Sequence, residues 1–169
     1  MEKVLVSACL LGLAVRYDGA SKRLIDQTLR RWQQQGRIIS VCPEVAGGLS
    51  IPRAAAEIQP LSGTNKTIDK DKRIVTTALG NDVSEEFYRG AHHALYLCQR
   101  HNIRYALLKE SSPSCGSNNI YNGDFNGTKT SGEGITCEQL RKHGIEVYSE
   151  FNLTELISKL TQPKVNEQR

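Results

Sequence analysis

Val4-Leu5-Val6-Ser7-Ala8-Cys9 opens the chain with a short apolar, β-branched run that ends at a cysteine. Two later stretches repeat the pattern. Arg37-Ile38-Ile39-Ser40-Val41 runs directly into Cys42, and Tyr105-Ala106-Leu107-Leu108 precedes Cys115. Short continuous apolar runs bounded by turn residues read as strands buried on both faces. Helical periodicities lie between them. Residues 24–35 bring Leu24, Ile25, Leu29 and Trp32 near one face, with Gly36 as the stop. Residues 83–100 repeat Val83, Phe87, Ala91, Ala94, Leu95 and Cys98 at helical spacing, with Asn81 or Asp82 to cap them. A further helix is expected from Ile135 to His143, ending at Gly144, then a strand at Ile145–Tyr148 and a last short helix from Leu153 to Leu160. Alternating strands and helices predict a single-domain α/β protein, a Rossmann-like three-layer sandwich around a mostly parallel sheet.

The segments between these elements are turn-rich. Gly47-Gly48-Leu49 and Ile51-Pro52-Arg53 predict a shaped loop. Residues 57–73 are polar and predict an exposed loop or ragged hairpin, and residues 116–134 are rich in Gly and Asn around a short strand at Ile120-Tyr121. One catalytic domain is expected over 1–162, with 163–169 as a frayed tail.

Composition narrows the class. The chain has 169 residues, 38% of them hydrophobic and 24% charged, which suits one soluble domain. There is no apolar run of about 18 residues and no leader-like start, so a cytoplasmic protein without a membrane partner is expected. A net charge of +4 is mild. The basic clusters Arg30-Arg31 and Lys70-Asp71-Lys72-Arg73 lack interleaved aromatics, so no stable nucleic-acid partner is expected. Sequence is silent on oligomeric state.

Five cysteines are too odd a set for a complete disulfide framework. Cys98 continues an apolar helical stripe, and Cys137 sits in the first turn of a helix; both read as packing. Cys9, Cys42 and Cys115 differ, because ligands of open α/β sheets bind outside the carboxyl ends of the strands. Three thiols delivered there from distant parts of the chain point to a metal or an iron–sulfur cluster. The four histidines supply no convincing fourth ligand, which implies an open coordination position. Gly132-Glu133-Gly134 lacks the third glycine of a dinucleotide fingerprint and reads as a loop.

Several motifs carry a resemblance. These are Cys9-Leu10-Leu11-Gly12 with Val15-Arg16-Tyr17-Asp18-Gly19, Cys42-Pro43-Glu44 with Gly47-Gly48-Leu49 and Pro52-Arg53, and Ser112-Pro113-Ser114-Cys115-Gly116. Gly90-Ala91, Leu107-Leu108-Lys109 and Gly123-Asp124-Phe125 with Gly127 add to them. Together they resemble a bacterial family that includes thiouracil desulfurases, over residues 4–148. The resemblance implies a 4Fe–4S cluster on Cys9, Cys42 and Cys115 with one open iron, and conversion of a thiolated uracil, as base or nucleoside, to uracil with release of sulfide. Glu44, two residues after Cys42, is the best-placed carboxylate for acid–base work, and the resemblance gives Ser112 as an active-site serine, with Ser111 and Ser114 as rivals. Arg16, Asp18 and Ser114 are expected to contact substrate, with a turn as the other reading of Asp18. Arg16 would offset cluster charge, and an Arg16–Asp18 ion pair is the structural alternative; Arg53 and Lys109 are read in the same two ways. Two other functional readings remain at this point, a zinc hydrolase on the same thiolates and a non-enzymatic iron–sulfur or redox sensor.

Overall fold

The computed structural model describes residues 1–60 and 72–162. Its centre is a four-stranded parallel sheet of β1 (Val4–Ser7), β2 (Ile38–Val41), β5 (Tyr105–Leu108) and β8 (Glu146–Ser149), in the order β2-β1-β5-β8. Val4 pairs with Ile38 on one side and with Tyr105 on the other; Tyr105 pairs in turn with Glu146. The chain starts at β1, adds β2 on one side, then returns to add β5 and β8 on the other. The strand order therefore reverses at β1, and a crevice opens where the loops after β1 and β5 part.

Side chains alternate across the sheet, because successive Cβ atoms of a strand point to opposite faces. Val4, Val6, Tyr105, Leu107 and Tyr148 pack with Leu29 and Trp32 of α1 (Gln27–Gln34) and with Leu153 and Leu156 of α5 (Leu153–Thr161). Leu5, Ala106, Leu108 and Val147 pack against Ala94, Leu95 and Cys98 of α3 (Ser84–Arg100) and Leu140 of α4 (Ile135–Lys142). This is the expected three-layer sandwich, with Cys98 and Cys137 fully inside the second helical layer.

Two small antiparallel pairs complete the fold. β3 (Ala56–Ile58) pairs with β4 (Val75–Thr77), and β6 (Asn119–Tyr121) pairs with β7 (Lys129–Ser131). Ile58, Val75 and Ile120 from these pairs pack with Phe87 and Ala91 of α3 and Ile135 of α4. The segment expected as a loop or ragged hairpin thus has a true strand pair at its flanks; residues 61–71 at its centre, and the tail at 163–169, lie outside the described residues. β7 was not anticipated, because Lys129-Thr130-Ser131 is wholly exposed and has no apolar alternation to read.

Local chemistry explains the helix ends. The Asp26 carboxylate accepts from Thr28 N–H at 2.7 Å and Leu29 N–H at 3.0 Å, so α1 starts at Gln27 rather than Leu24. Ile25 therefore lies ahead of the helix and is 84% exposed, not part of its buried face. Asp82 accepts from Ser84 N–H at 2.9 Å at the start of α3, as expected. A one-turn helix, α2 (Pro43–Ala46), was not among the expected elements; Pro43 suits a first helical position, where no N–H is needed.

Candidate active site

The three cysteines enter the site by three local devices. After β1 the chain turns through a 3-10 segment, Ala8–Leu11, that places Cys9 against the crevice. After β2, Cys42 stands at the N-cap of α2. That helix lies hard against α3, because Gly47 meets the Glu86 carbonyl and Gly90 meets the Pro43 carbonyl with no room for a Cβ on either glycine. After β5, residues Ser112–Gly116 form a loop clamped by the start of α4. Ile135 N–H donates to Pro113 O at 2.9 Å, and the Thr136 and Cys137 N–H groups donate to Ser114 O at 2.9 and 3.2 Å. Cys137 thus contributes its backbone to the loop and its side chain to the core.

Cys9, Cys42 and Cys115 all line one cavity of about 630 Å³. Cys9 and Cys115 are buried and Cys42 is half-buried; none is in a disulfide. Burial pushes the Cys9 thiol up to about 11, and the proximity of Cys42 adds to the rise while Arg16 and Lys109 oppose it. Burial also raises Cys42, against the pull of the Val45 N–H. Cys115 is raised furthest by burial, although the Ser7 and Ser114 hydroxyls donate toward its sulfur at 3.5 and 3.6 Å. With all three thiols held up by burial, none is set up as a free thiolate nucleophile, and a bound metal group would have to displace their protons.

The donor set discriminates between bound groups. Thiolates around a single zinc at about 2.3 Å would stand roughly 3.8 Å from one another. Among the described residues no three Cys, His, Asp or Glu side chains are disposed to hold one metal ion. A multi-iron cluster spreads its ligands over several irons and accepts a wider triangle of thiolates. Three cysteine thiols on one cavity match the thiolate ligation of an iron–sulfur cluster.

Glu44 and the serine loop face each other across this cavity. Glu44 Oε2 accepts from the Ser114 hydroxyl at 3.1 Å, while Arg53 Nε donates to Oε1 at 3.3 Å. Arg53 also donates to Val15 O and Ser50 O, so the pair is held from several sides. Ser112 Oγ lies 2.9 Å from Ser114 Oγ and accepts from the Ser114 and Cys115 N–H groups at 3.1 and 3.2 Å. Ser112 thereby shapes the loop and touches Glu44 only through Ser114. Ser111 has a φ of 67°, and its N–H donates to Glu110.

The remaining expected residues divide. Arg16 lines the cavity, with its guanidinium 5.7 Å from the Tyr17 ring centroid. Asp18 does not line it; its carboxylate accepts from Ala20 N–H at 3.0 Å and holds an exposed turn. The described residues contain no Arg16–Asp18 ion pair. Lys109 lines the cavity and is paired with Glu150 at 2.6 Å.

Sequence reasoning missed Glu110 and Glu57. Glu110 is buried, and burial alone would raise its carboxyl. The Ser117 hydroxyl and the N–H groups of Asn118, Asn119 and Ser111 outweigh that and hold it down to about 2. It organises the loop that carries Cys115. Glu57, on β3, is buried and also lines the cavity. Neither sits in a cysteine motif, and a lone Glu in a polar stretch carries no pattern to read.

Comparison with known proteins places this geometry in context. The sequence profile of 2-thiouracil desulfurase matches residues 4–152. An uncharacterized protein of Bacillus subtilis (strain 168), YbbK, is 38% identical over 154 residues, which is 91% of this chain and 99% of the relative. The solved structure of the 4Fe–4S-dependent thiouracil desulfidase TudS is similar at 50% identity with a TM-score of 0.85, over 95% of this chain and 99% of that one.

Proposed function

The chain belongs to the 2-thiouracil desulfurase family, and from that premise we propose that it is an iron–sulfur-dependent enzyme that replaces the sulfur of a thiolated uracil-type compound by oxygen. The observation that carries this reading is the arrival of Cys9, Cys42 and Cys115 from three strand ends at one cavity, with Glu44 and Ser114 facing them. The 4Fe–4S dependence of TudS, half identical to this chain, supports the cofactor.

Cys9, Cys42 and Cys115 would hold the cluster, which when bound supplies a soft Lewis acid to polarise a thiocarbonyl. The reaction balances as C=S plus water giving C=O plus hydrogen sulfide, with no net electron transferred. Water must lose protons as the new C–O bond forms, and the leaving sulfur must gain them. Glu44 is placed for both transfers. Its Oε2 joins the Ser114 hydroxyl, and Arg53 fixes the other oxygen, so the carboxylate keeps one orientation. The contact to Ser114 makes that serine the hydroxyl that relays or positions water. Ser112 stands one bond further out and sets Ser114.

The test is anaerobic reconstitution with iron and sulfide, followed by 2-thiouracil and assay of sulfide and uracil. Wild-type protein is expected to show visible cluster absorption and equal yields of both products. Cys115→Ala is expected to lose absorption and turnover together. Glu44→Gln is expected to keep the absorption and lose about 100-fold or more in kcat. Full turnover in Glu44→Gln would remove its acid–base role, and no sulfide release by the reconstituted wild type would remove the desulfurase reading.

A further inference from the structure

Three carboxylates line the cavity, Glu44, Glu57 and Glu110. Their oxygens are not equally committed. Both oxygens of Glu44 are taken, by Arg53 and by Ser114. Both oxygens of Glu110 are taken as well: Oε1 accepts from four backbone N–H groups and Oε2 from the Ser117 hydroxyl at 2.5 Å. Glu57 differs. Its Oε1 accepts from the Gly123 and Phe125 N–H groups at 3.0 and 3.3 Å, and no described residue donates to its Oε2.

Glu57 is only 8% exposed. Among the described residues, the sealed side-chain atoms without a partner are Arg73 Nε and Thr136 Oγ1 and do not include Glu57 Oε2, an acceptor on a cavity-lining side chain with no donor among those residues. The side chain is also aimed with care. It sits on β3, and its anchored oxygen holds the loop in which Phe125 takes a φ of 54° and joins the same cavity wall. One oxygen is thus fixed by the protein, and the other has no donor among the described residues.

A uracil-type ring supplies the missing donor. It carries two ring N–H groups, and a carboxylate oxygen is a stronger acceptor for one of them than the thiols that share the cavity. We propose that Glu57 Oε2 accepts a ring N–H of the substrate and selects pyrimidines that carry a hydrogen on that nitrogen. This rests on the desulfurase reading for its substrate class, and it assigns Glu57 to recognition while Glu44 handles protons. An acceptor built for one N–H discriminates against a ring that lacks it, because that oxygen is then left without its donor beside the bound ring.

The test separates binding from turnover. Uracil, 1-methyluracil and 3-methyluracil are titrated by calorimetry into wild type and Glu57→Gln, and KM and kcat for 2-thiouracil are measured on the reconstituted proteins. Gln keeps an acceptor oxygen for Gly123 and Phe125 but turns an NH2 toward the ring. Wild type is expected to bind one monomethyl compound about 10- to 100-fold more weakly than uracil. Glu57→Gln is expected to bind uracil that much more weakly and to lose the difference between uracil and that compound. Its KM should rise by the same factor with kcat nearly unchanged. A purely loop-holding role would leave the methyl discrimination intact in Glu57→Gln, and that result overturns the proposal. If wild type releases no sulfide from 2-thiouracil but the methyl discrimination depends on Glu57, the desulfurase reading fails and the recognition role stands. Sulfide release with no effect of Glu57→Gln on binding or KM is the reverse.

Discussion

The cavity has a floor and a far wall, and they are built differently. The floor is made by the carboxyl ends of β1, β2 and β5, parallel neighbours whose pairing places Cys9, Cys42 and Cys115 in one crevice. Polar side chains there are saturated: Ser7 spans from Lys109 N–H to Cys115 Sγ, and Glu44 and Glu110 have both oxygens bonded. The wall is made by β3 and the β6–β7 pair with the loop between them. It is short-stranded and partly exposed, and its loop is held by single side chains such as Glu57 and Gln59. The floor is over-determined, as a site that must hold a cofactor should be. On the wall, Glu57 has one oxygen with no donor among the described residues, which is the capacity the proposed substrate recognition uses.

The most damaging way to break this contrast is to lift the floor off its support. In Gly90→Ala the new Cβ lands on the Pro43 carbonyl, and the contact is backbone against backbone, so no side chain can yield. The expected loss is about 3 kcal/mol or more in urea unfolding, together with failure to retain the cluster. Stability within about 0.5 kcal/mol of wild type would show that α2 and α3 can separate freely, and the floor would not be rigid.

Glu110 tests the saturation of the floor by pH. Its folded carboxyl is held near 2 against an ordinary value of 4.5, so the folded state favours the ionised form. Its contribution is complete above pH 4.5 and is lost as pH falls toward 2. That amounts to about 3 kcal/mol at most. Glu110→Gln keeps an acceptor but cannot titrate, so its unfolding free energy should fall less steeply than wild type's between pH 4.5 and 2. Parallel curves would mean that the carboxylate's hydrogen bonds persist on unfolding or contribute nothing.

Cys98 gives the smallest effect and sharpens the contrast by exclusion. It is buried in the α3 layer with no polar partner, and burial pushes its thiol up to about 12. Cys98→Ala is expected to cost about 1 kcal/mol by leaving a small void, with cluster absorption and sulfide release unchanged. Loss of the cluster in this variant would show that the ligand set extends beyond the cavity.

The same contrast governs what could be read in advance. The floor was legible because its strands are continuous apolar runs and each cysteine that lines the cavity follows a strand end; β5 was anticipated at its full extent, Tyr105–Leu108. Cys98 and Cys137, read from their helical positions, pack in the core, while Cys9, Cys42 and Cys115, read from strand ends, line the cavity. The wall was largely illegible. Lys129–Ser131 is a strand only because Asn119–Tyr121 pairs with it, and Glu57 acquires meaning only from Gly123 and Phe125, more than sixty residues away in sequence. Among the expected site residues Asp18 belongs to a turn, and Ser112 reaches Glu44 only through Ser114.

Sequence by itself determined the parallel α/β sandwich, the three thiols at its strand ends and the family resemblance. Those follow from local periodicity and from where a strand stops, and both are properties of neighbouring residues. Only the tertiary structure decided which hydroxyl meets Glu44 and which carboxylates have both oxygens bonded. Hydrogen-bond partnership is a relation between segments brought together by folding, so a residue's type fixes what it can donate or accept but not what has already been satisfied.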